Sequence, residues 1–366
     1  MDRRAFLALS VAGPVATVAP AKAIAAPAAA RPPLKVKLGC QSAPSTDKHF
    51  AYFARYGVRN ICAKPVIADG RTYATIEEIE ALGDLCRRHG LSLDMLEPPI
   101  LRSSHIDKEP NPSIMLAADP QRDRDIEAFQ TMIRNAAKAG VPAIKYNMSI
   151  LGVLRTEHVK GRGDSLYQAW DLAKARPATP LTRAGRIDAD TAWERISYFL
   201  ERVVPVAEEY KVKIACHPQD PGVPPEGYQG VVRVLGTIDG LKRFVGIKES
   251  AYHGLNFCQG TVSEALRDPA TEIFDVIRWF GARRKIFNVH FRNIRGARDH
   301  FSETFPDEGD IDMVKALKVY REVGYDGMLM PDHVPIVEGD PDATLQSFAF
   351  AYGYIRGLMQ AEASST

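Results

Sequence analysis

Five side chains of metal-binding type stand at or near the ends of short apolar runs: Glu97, His217, Cys258, His290 and Asp332. Two imidazoles, a thiolate and a carboxylate from separate segments would make a mixed N/S/O site suited to manganese, iron, cobalt or zinc. Donor softness alone does not choose among these metals. The spacing contains no local signature such as His-Glu-x-x-His, so the reading depends on folding that brings distant ends together. Taken singly, each residue has a plainer role: a strand-end His as a hydrogen-bonded core residue, Cys258 as a small buried apolar group. Arg292 and Lys145 could hold a substrate carboxylate, with Arg the better clamp because its planar fork binds both oxygens. Asn147, Asn293 and Glu97 are further candidates to bind hydroxyls of a substrate. His333 directly follows Asp332. Neighbours on a strand point to opposite faces, so both can serve one site only if the chain leaves strand geometry there. Pro331 and Pro335 make that exit reasonable. An imidazole beside a metal is a natural acid or base near neutral pH.

The elements that must position these groups alternate along the chain. Strand-length apolar runs fall near Lys35 to Ser42, Asn60 to Lys64, Leu91 to Glu97, Ala143 to Ser149, Lys213 to His217, Leu255 to Cys258, Lys285 to Asn293 and Gly327 to Asp332. Helical periodicity fills the gaps. The segment Thr75 to His89 opens with a Thr75-Ile76-Glu77-Glu78 capping box, repeats Ile76, Ile79, Leu82 and Leu85 on one face, and stops at Gly90. The same grammar recurs over Asp125 to Ala139, Asp190 to Tyr210 and Asp312 to Val323. Strands alternating with helices imply a parallel sheet, and eight such units fit a closed (β/α)8 TIM barrel, an α/β fold, better than an open doubly wound sheet. Within strands the period of two separates faces. Ile286, Asn288, His290 and Arg292 should point into the barrel, with Phe287, Val289 and Phe291 against the helices. Lys145, Asn147 and Ser149 should likewise point inward, and Cys216 outward into packing. The stretch Gly152 to Arg186 is long for a connection and reads either as a lid over the active face or as a solvated loop.

With 45% hydrophobic and 25% charged residues in 366, the chain has the balance of a globular protein with one large core, which removes disordered and fibrous readings. A net charge of +2, without basic tracts, gives no electrostatic case for nucleic acid. Five cysteines, an odd number, offer no disulfide framework. Residues 1–30 read as an export signal of twin-arginine type: Arg3-Arg4-Ala5-Phe6-Leu7, a short apolar middle, and a small-residue site at Ala21-Lys22-Ala23. Pro14 and Pro20 interrupt the run, so a membrane span is not expected and the expected location is periplasmic. Residues 31–366 then form a single catalytic domain, for which a homo-oligomer is open.

Several motifs, in order, resemble those of the D-mannonate dehydratase family. They are Cys216-His217-Pro218-Gln219-Asp220-Pro221, Gly254-Leu255-Asn256-Phe257-Cys258-Gln259-Gly260, His290-Phe291-Arg292-Asn293, Gly309-Asp310-Ile311-Asp312-Met313 and Pro331-Asp332-His333. The resemblance implies a barrel related to xylose-isomerase-like enzymes that dehydrates D-mannonate to 2-dehydro-3-deoxy-D-gluconate, a step of hexuronate catabolism, with Mn2+ or Fe2+. It implies metal ligation by His217, Cys258, His290 and Asp332, and an acid or base role for His333. Three departures stand out. Gly39-Cys40-Gln41-Ser42 replaces the family's Arg-Trp-Tyr-Gly on the first strand, and Gln219 replaces one Asp of a His-Pro-Asp-Asp-Pro motif. The Gly-Tyr segment that carries a catalytic Tyr in the family has no clean counterpart in Val337 to Phe350. These leave open a metal-dependent isomerase, epimerase or lyase acting on another sugar derivative.

Overall fold

A computed structural model of the protein describes residues 32–176, 180–340 and 344–364; the expected export signal lies outside them. In chain order the strands are β1 (Lys37–Ser42), β2 (Asn60–Ala63), β3 (Ser92–Leu96), β4 (Ala143–Asn147), β5 (Glu157–Lys160), β6 (Leu166–Asp171), β7 (Lys213–His217), β8 (His253–Cys258), β9 (Ile286–His290), β10 (Ile294–Ala297), β11 (His300–Glu303) and β12 (Met328–Met330). Eight of them close a parallel barrel in the order β1-β12-β9-β8-β7-β4-β3-β2. Each coincides with one of the apolar runs read from the sequence, and the first and last strands pair through Lys37 with Met328 and Leu38 with Leu329. The ring therefore has no free edge.

The helices begin where local chemistry starts them. Thr75 caps Ile76–Arg88 in a reciprocal capping box with Glu78. Asp188 caps Ala189–Tyr210 by accepting from Thr191 N at 2.8 Å, and Asp312 caps Met313–Glu322 by accepting from Lys315 N at 2.9 Å. Each satisfies one of the amide groups a helix start leaves without a partner. The helices Asp47–Arg55, Gln121–Lys138, Ile238–Gly246, Pro269–Ala282 and Leu345–Ser364 also belong to the outer layer. Among the described residues no helix is long and apolar enough to cross a membrane, and all five cysteines are buried and free.

Two findings were not foreseen. The Gly152 to Arg186 stretch carries β5 and β6, which join β10 and β11 in a separate antiparallel sheet, ordered β10-β11-β6-β5. β10 and β11 directly follow the end of β9, so this sheet gathers at the strand ends that carry the candidate donors. The second concerns alternation in β9. Phe287 packs with Cys62, Met95, Ala143, Ala215, Met328 and Met330 in the barrel interior, whereas Ile286 belongs to the outer core. The expected assignment of these two residues is thus reversed. The reason is a bulge: the ladder passes from Leu255 opposite Ile286 to Asn256 opposite Asn288. The additional residue shifts the facing by one position on one side of the irregularity only. Beyond it the expected inward set, Asn288 and His290, holds.

Candidate metal centre and active site

β7 ends on His217, β8 on Cys258 and β9 on His290, while Asp332 follows two residues after β12. One ligand atom from each of these four residues lies within 4.8 Å of the others. Asp332 bridges two neighbours, with Oδ1 3.3 Å from His290 Nδ1 and Oδ2 3.5 Å from Cys258 Sγ. His217 and His290 face each other with ring centroids 5.1 Å apart. Burial, aided by Lys145, lowers the pKa of His217 to about 4 against the pull of Asp332, so the ring is neutral and keeps a lone pair. Its Nδ1 lies 2.6 Å from the carbonyl oxygen of Pro218, which places the proton there and presents Nε2. His290 Nδ1 is buried without a hydrogen-bond partner. A buried imidazole nitrogen lacking a partner beside a carboxylate and a thiol is a costly arrangement unless a cation completes it. These donors fit a divalent metal of borderline softness.

The cavity above is lined by Gln41, Lys145, Asn147, Asp220 and His333, together with Ser103, Ser149 and the donors other than Cys258. Lys145 and Asn147 are therefore where the sequence placed them. Lys145 Nζ lies 2.7 Å from Gln41 Oε1 and 2.9 Å from Glu97 Oε1. Burial opposes its charge, but Glu97 outweighs burial and raises its pKa, so the ammonium persists. Glu97 is accordingly the partner of Lys145 and stands outside the four-donor group. The chain does leave strand geometry after Met330, and His333 reaches the same cavity as Asp332. Among the described residues, no Tyr lines the cavity.

Two expectations need correction. Arg292 is not available as a carboxylate clamp. Its guanidinium is buried and already meets Asp220 at 3.0 Å, Glu264 at 2.9 Å and Glu303. Asn293 lies outside the lining of that cavity: its Nδ2 donates to the carbonyls of Pro306 and Ile311, and its Oδ1 accepts from the amides of Ile294 and Ile311. It therefore staples the loop after β11 to the barrel rim.

The network around Arg292 is what sequence reasoning missed. Arg155, from the stretch before β5, pairs with Asp220 at 2.6 Å and with Glu303. Burial and the nearby Asp220 push the pKa of the Glu264 carboxyl well up, against the pull of Arg292 and Arg155. Burial would raise Asp220 too, but Arg155 and Arg292 prevail and hold it well down. Two guanidinium groups thus meet three buried carboxyl groups. Asp220, Glu303 and His333 also approach one another within 4.8 Å, but there Arg292 supplies the cation. Glu303 Oε1 lies 2.8 Å from His333 Nδ1. Arg292 Nη1 is equally close to that nitrogen; a guanidinium can only donate, so Nδ1 pairs with Arg292 as an acceptor in one protonation state and with Glu303 as a donor in the other, and a protonated ring selects Glu303. Burial disfavours the charged ring, but Asp332 and Glu303 overcome it and raise the His333 pKa to about 9. The motif containing Asp220 was visible in the sequence; Glu303 and Arg155 sit in strands or loops of the small sheet and carried no such signal.

A closed parallel barrel with buried N, S and O donors at its strand ends is the arrangement of a metal-dependent TIM-barrel enzyme. Solved structures agree on the fold: a xylose isomerase domain protein from Planctomyces limnophilus superposes with TM-score 0.55 at 13% identity, covering 91% of this chain and 99% of that one. The D-mannonate dehydratase (UxuA) family model matches residues 169–365. The mannonate dehydratase of Thermotoga petrophila is 30% identical over 326 residues, 78% of this chain and 86% of that protein. Mannonate dehydratase 2 of Halalkalibacterium halodurans is 28% identical, over 79% and 88%. The mannonate dehydratase structure from Streptococcus suis serotype 2 superposes with TM-score 0.77 at 25% identity, covering 90% of this chain and 94% of that one. The chain belongs to the D-mannonate dehydratase family, and is a metal-dependent hydro-lyase of xylose-isomerase-like fold.

Proposed function

We propose that the substrate is D-mannonate, converted to 2-dehydro-3-deoxy-D-gluconate and water, with Mn2+ or Fe2+ held by His217, Cys258, His290 and Asp332. The observation that carries this reading is the convergence of those four donors on the wall that also holds His333. A divalent cation there supplies Lewis-acid stabilisation of the charge that develops on the carboxylate when the neighbouring C–H proton is removed. The rest falls to the chain. Lys145 Nζ, kept charged by Glu97, attracts the substrate carboxylate, and Asn147 orients a hydroxyl. Glu303 fixes the His333 ring through Nδ1, which leaves Nε2 to exchange a proton with the substrate. The neutral ring takes the C–H proton on Nε2, and the same nitrogen then delivers that proton to the departing hydroxyl, so that water leaves and the ring returns to its starting state. The test is direct. Protein loaded with Mn2+ or Fe2+ under reducing conditions should turn D-mannonate into a product positive for 2-keto-3-deoxy acid in the thiobarbituric acid assay; absence of product removes the substrate assignment.

Export is a second part of the proposal, carried by the Arg3-Arg4 pair and the apolar run after it. Replacing both arginines by lysine should hold the protein in the cytoplasm, and unchanged export would reject the twin-arginine route.

A further inference from the structure

Directly beneath the donors lies a pair of wholly buried amides, Asn256 on β8 and Asn288 on β9. They separate the metal-type donors from the Met and Phe side chains that fill the barrel below. Asn256 Nδ2 stands 3.2 Å from His290 Nε2. Asn288 Nδ2 stands 2.5 Å from Asn256 Oδ1, and Asn288 Oδ1 has no partner. Above them, His290 Nδ1 is unpartnered and 3.3 Å from Asp332.

A neutral imidazole has one N–H and one lone pair. If Nδ1 of His290 gives its lone pair to a cation, the proton must sit on Nε2. An amide nitrogen facing Nε2–H would then set two donors against each other. An amide oxygen and nitrogen exchange places by a half-turn of the terminal torsion. Turning Asn256 puts Oδ1 opposite Nε2–H and sends Nδ2 toward Asn288, whose unpaired oxygen becomes the acceptor after the same half-turn. The two amides thus form a directional relay with only one sense compatible with a metal-bearing Nδ1.

We propose that Asn256, oriented by Asn288, is a positioning residue that accepts from His290 Nε2–H and so selects Nδ1 as the atom offered to the cation. His217 does the opposite, because Pro218 takes its Nδ1–H and Nε2 is offered. The two facing rings therefore present different nitrogens to one centre. Ring partners of this kind orient metal-binding imidazoles and raise their basicity.

This inference rests on the four-donor metal centre proposed above, and the test separates the two. The full chain is loaded with zinc as a diamagnetic probe and the histidine ring nitrogens are read by 15N NMR. His290 should show a protonated Nε2 and a metal-bound Nδ1, and His217 the reverse. Asn256→Leu, close in size but unable to accept, should raise the zinc dissociation constant by about 10–100-fold. Asn256→Asp, which keeps an acceptor at that position, should stay much closer to the unmodified protein, and Asn288→Leu should give a smaller rise than Asn256→Leu. Zinc bound as tightly by Asn256→Leu as by the unmodified chain, or a metal-bound Nε2 on His290, overturns the relay while leaving the centre intact. Failure of the unmodified protein to bind zinc at these histidines removes the centre itself. Should Asn256→Leu not fold, the ring pattern of the unmodified protein still decides.

Discussion

The floor and the mouth of the barrel are built from the same strands with opposite chemistry. Inward positions of β7 run from Ala215 to His217; those of β12 and the residues just after it run from Met328 and Met330 to Asp332; those of β4 run from Ala143 to Lys145 and Asn147. One inward step, two residues along a strand, takes the barrel from a dry apolar plug to a polar site. The difference shows how one sheet separates stability from reactivity: the floor buries apolar side chains, whereas the mouth holds charges that only partners or a bound cation make tolerable.

That division can be broken from either side. Cys258→Ser and His290→Ala should leave the plug intact, lose bound metal by elemental analysis, and lower turnover by about 10³-fold, the equivalent of roughly 4 kcal/mol. Metal retained in full by both variants would mean that the mouth does not work as described. Arg292→Ala should strand Asp220 and Glu303 in a buried setting and lower stability by about 3–5 kcal/mol in urea unfolding. A loss under about 1 kcal/mol would show that solvent already reaches this network. Met330→Ala, in the floor, should cost about 3 kcal/mol yet change metal affinity little; a large fall in affinity would show that the two layers are coupled.

The smallest effect is one of pH. His253 lies at the start of β8, buried, with Nε2 2.9 Å from the Phe244 carbonyl. Burial lowers its pKa to about 4, with Lys285 adding to the shift. The unfolded chain takes up a proton near the usual pH of about 6.5, which the folded ring refuses down to its lower pKa. The contribution is fully present above the unfolded value and falls away as pH drops through that window. Its full size, at most about 3 kcal/mol, should appear as a steeper acid loss of stability in the unmodified protein than in His253→Leu. Parallel curves for the two would place the titration elsewhere.

Much of the barrel was legible because its signals are local. Capping at Thr75 and Asp312 and apolar runs at each strand depend on neighbouring residues, and all eight barrel strands fell where those runs lie. The bulge in β9 was not legible: the period of two carries no mark of where a ladder slips, and only pairing with β8 turned Phe287 inward. Arg292 was misread for a related reason. Its charge and inward position were visible, but the carboxylates that occupy it come from three separate segments, and Glu303 lies in a small sheet that no apolar alternation announced.

Residue type and order alone determined which donors exist, which strand ends would carry them, and which family the motifs resemble. Those properties are written in short stretches of chain and in the two-residue period of a strand. Tertiary structure alone decided which donors meet, which nitrogen His217 presents, and which cations are already engaged. Such outcomes depend on distances between segments far apart in the chain, and a hydrogen bond or ion pair is set by ångström-scale contact that sequence separation does not encode.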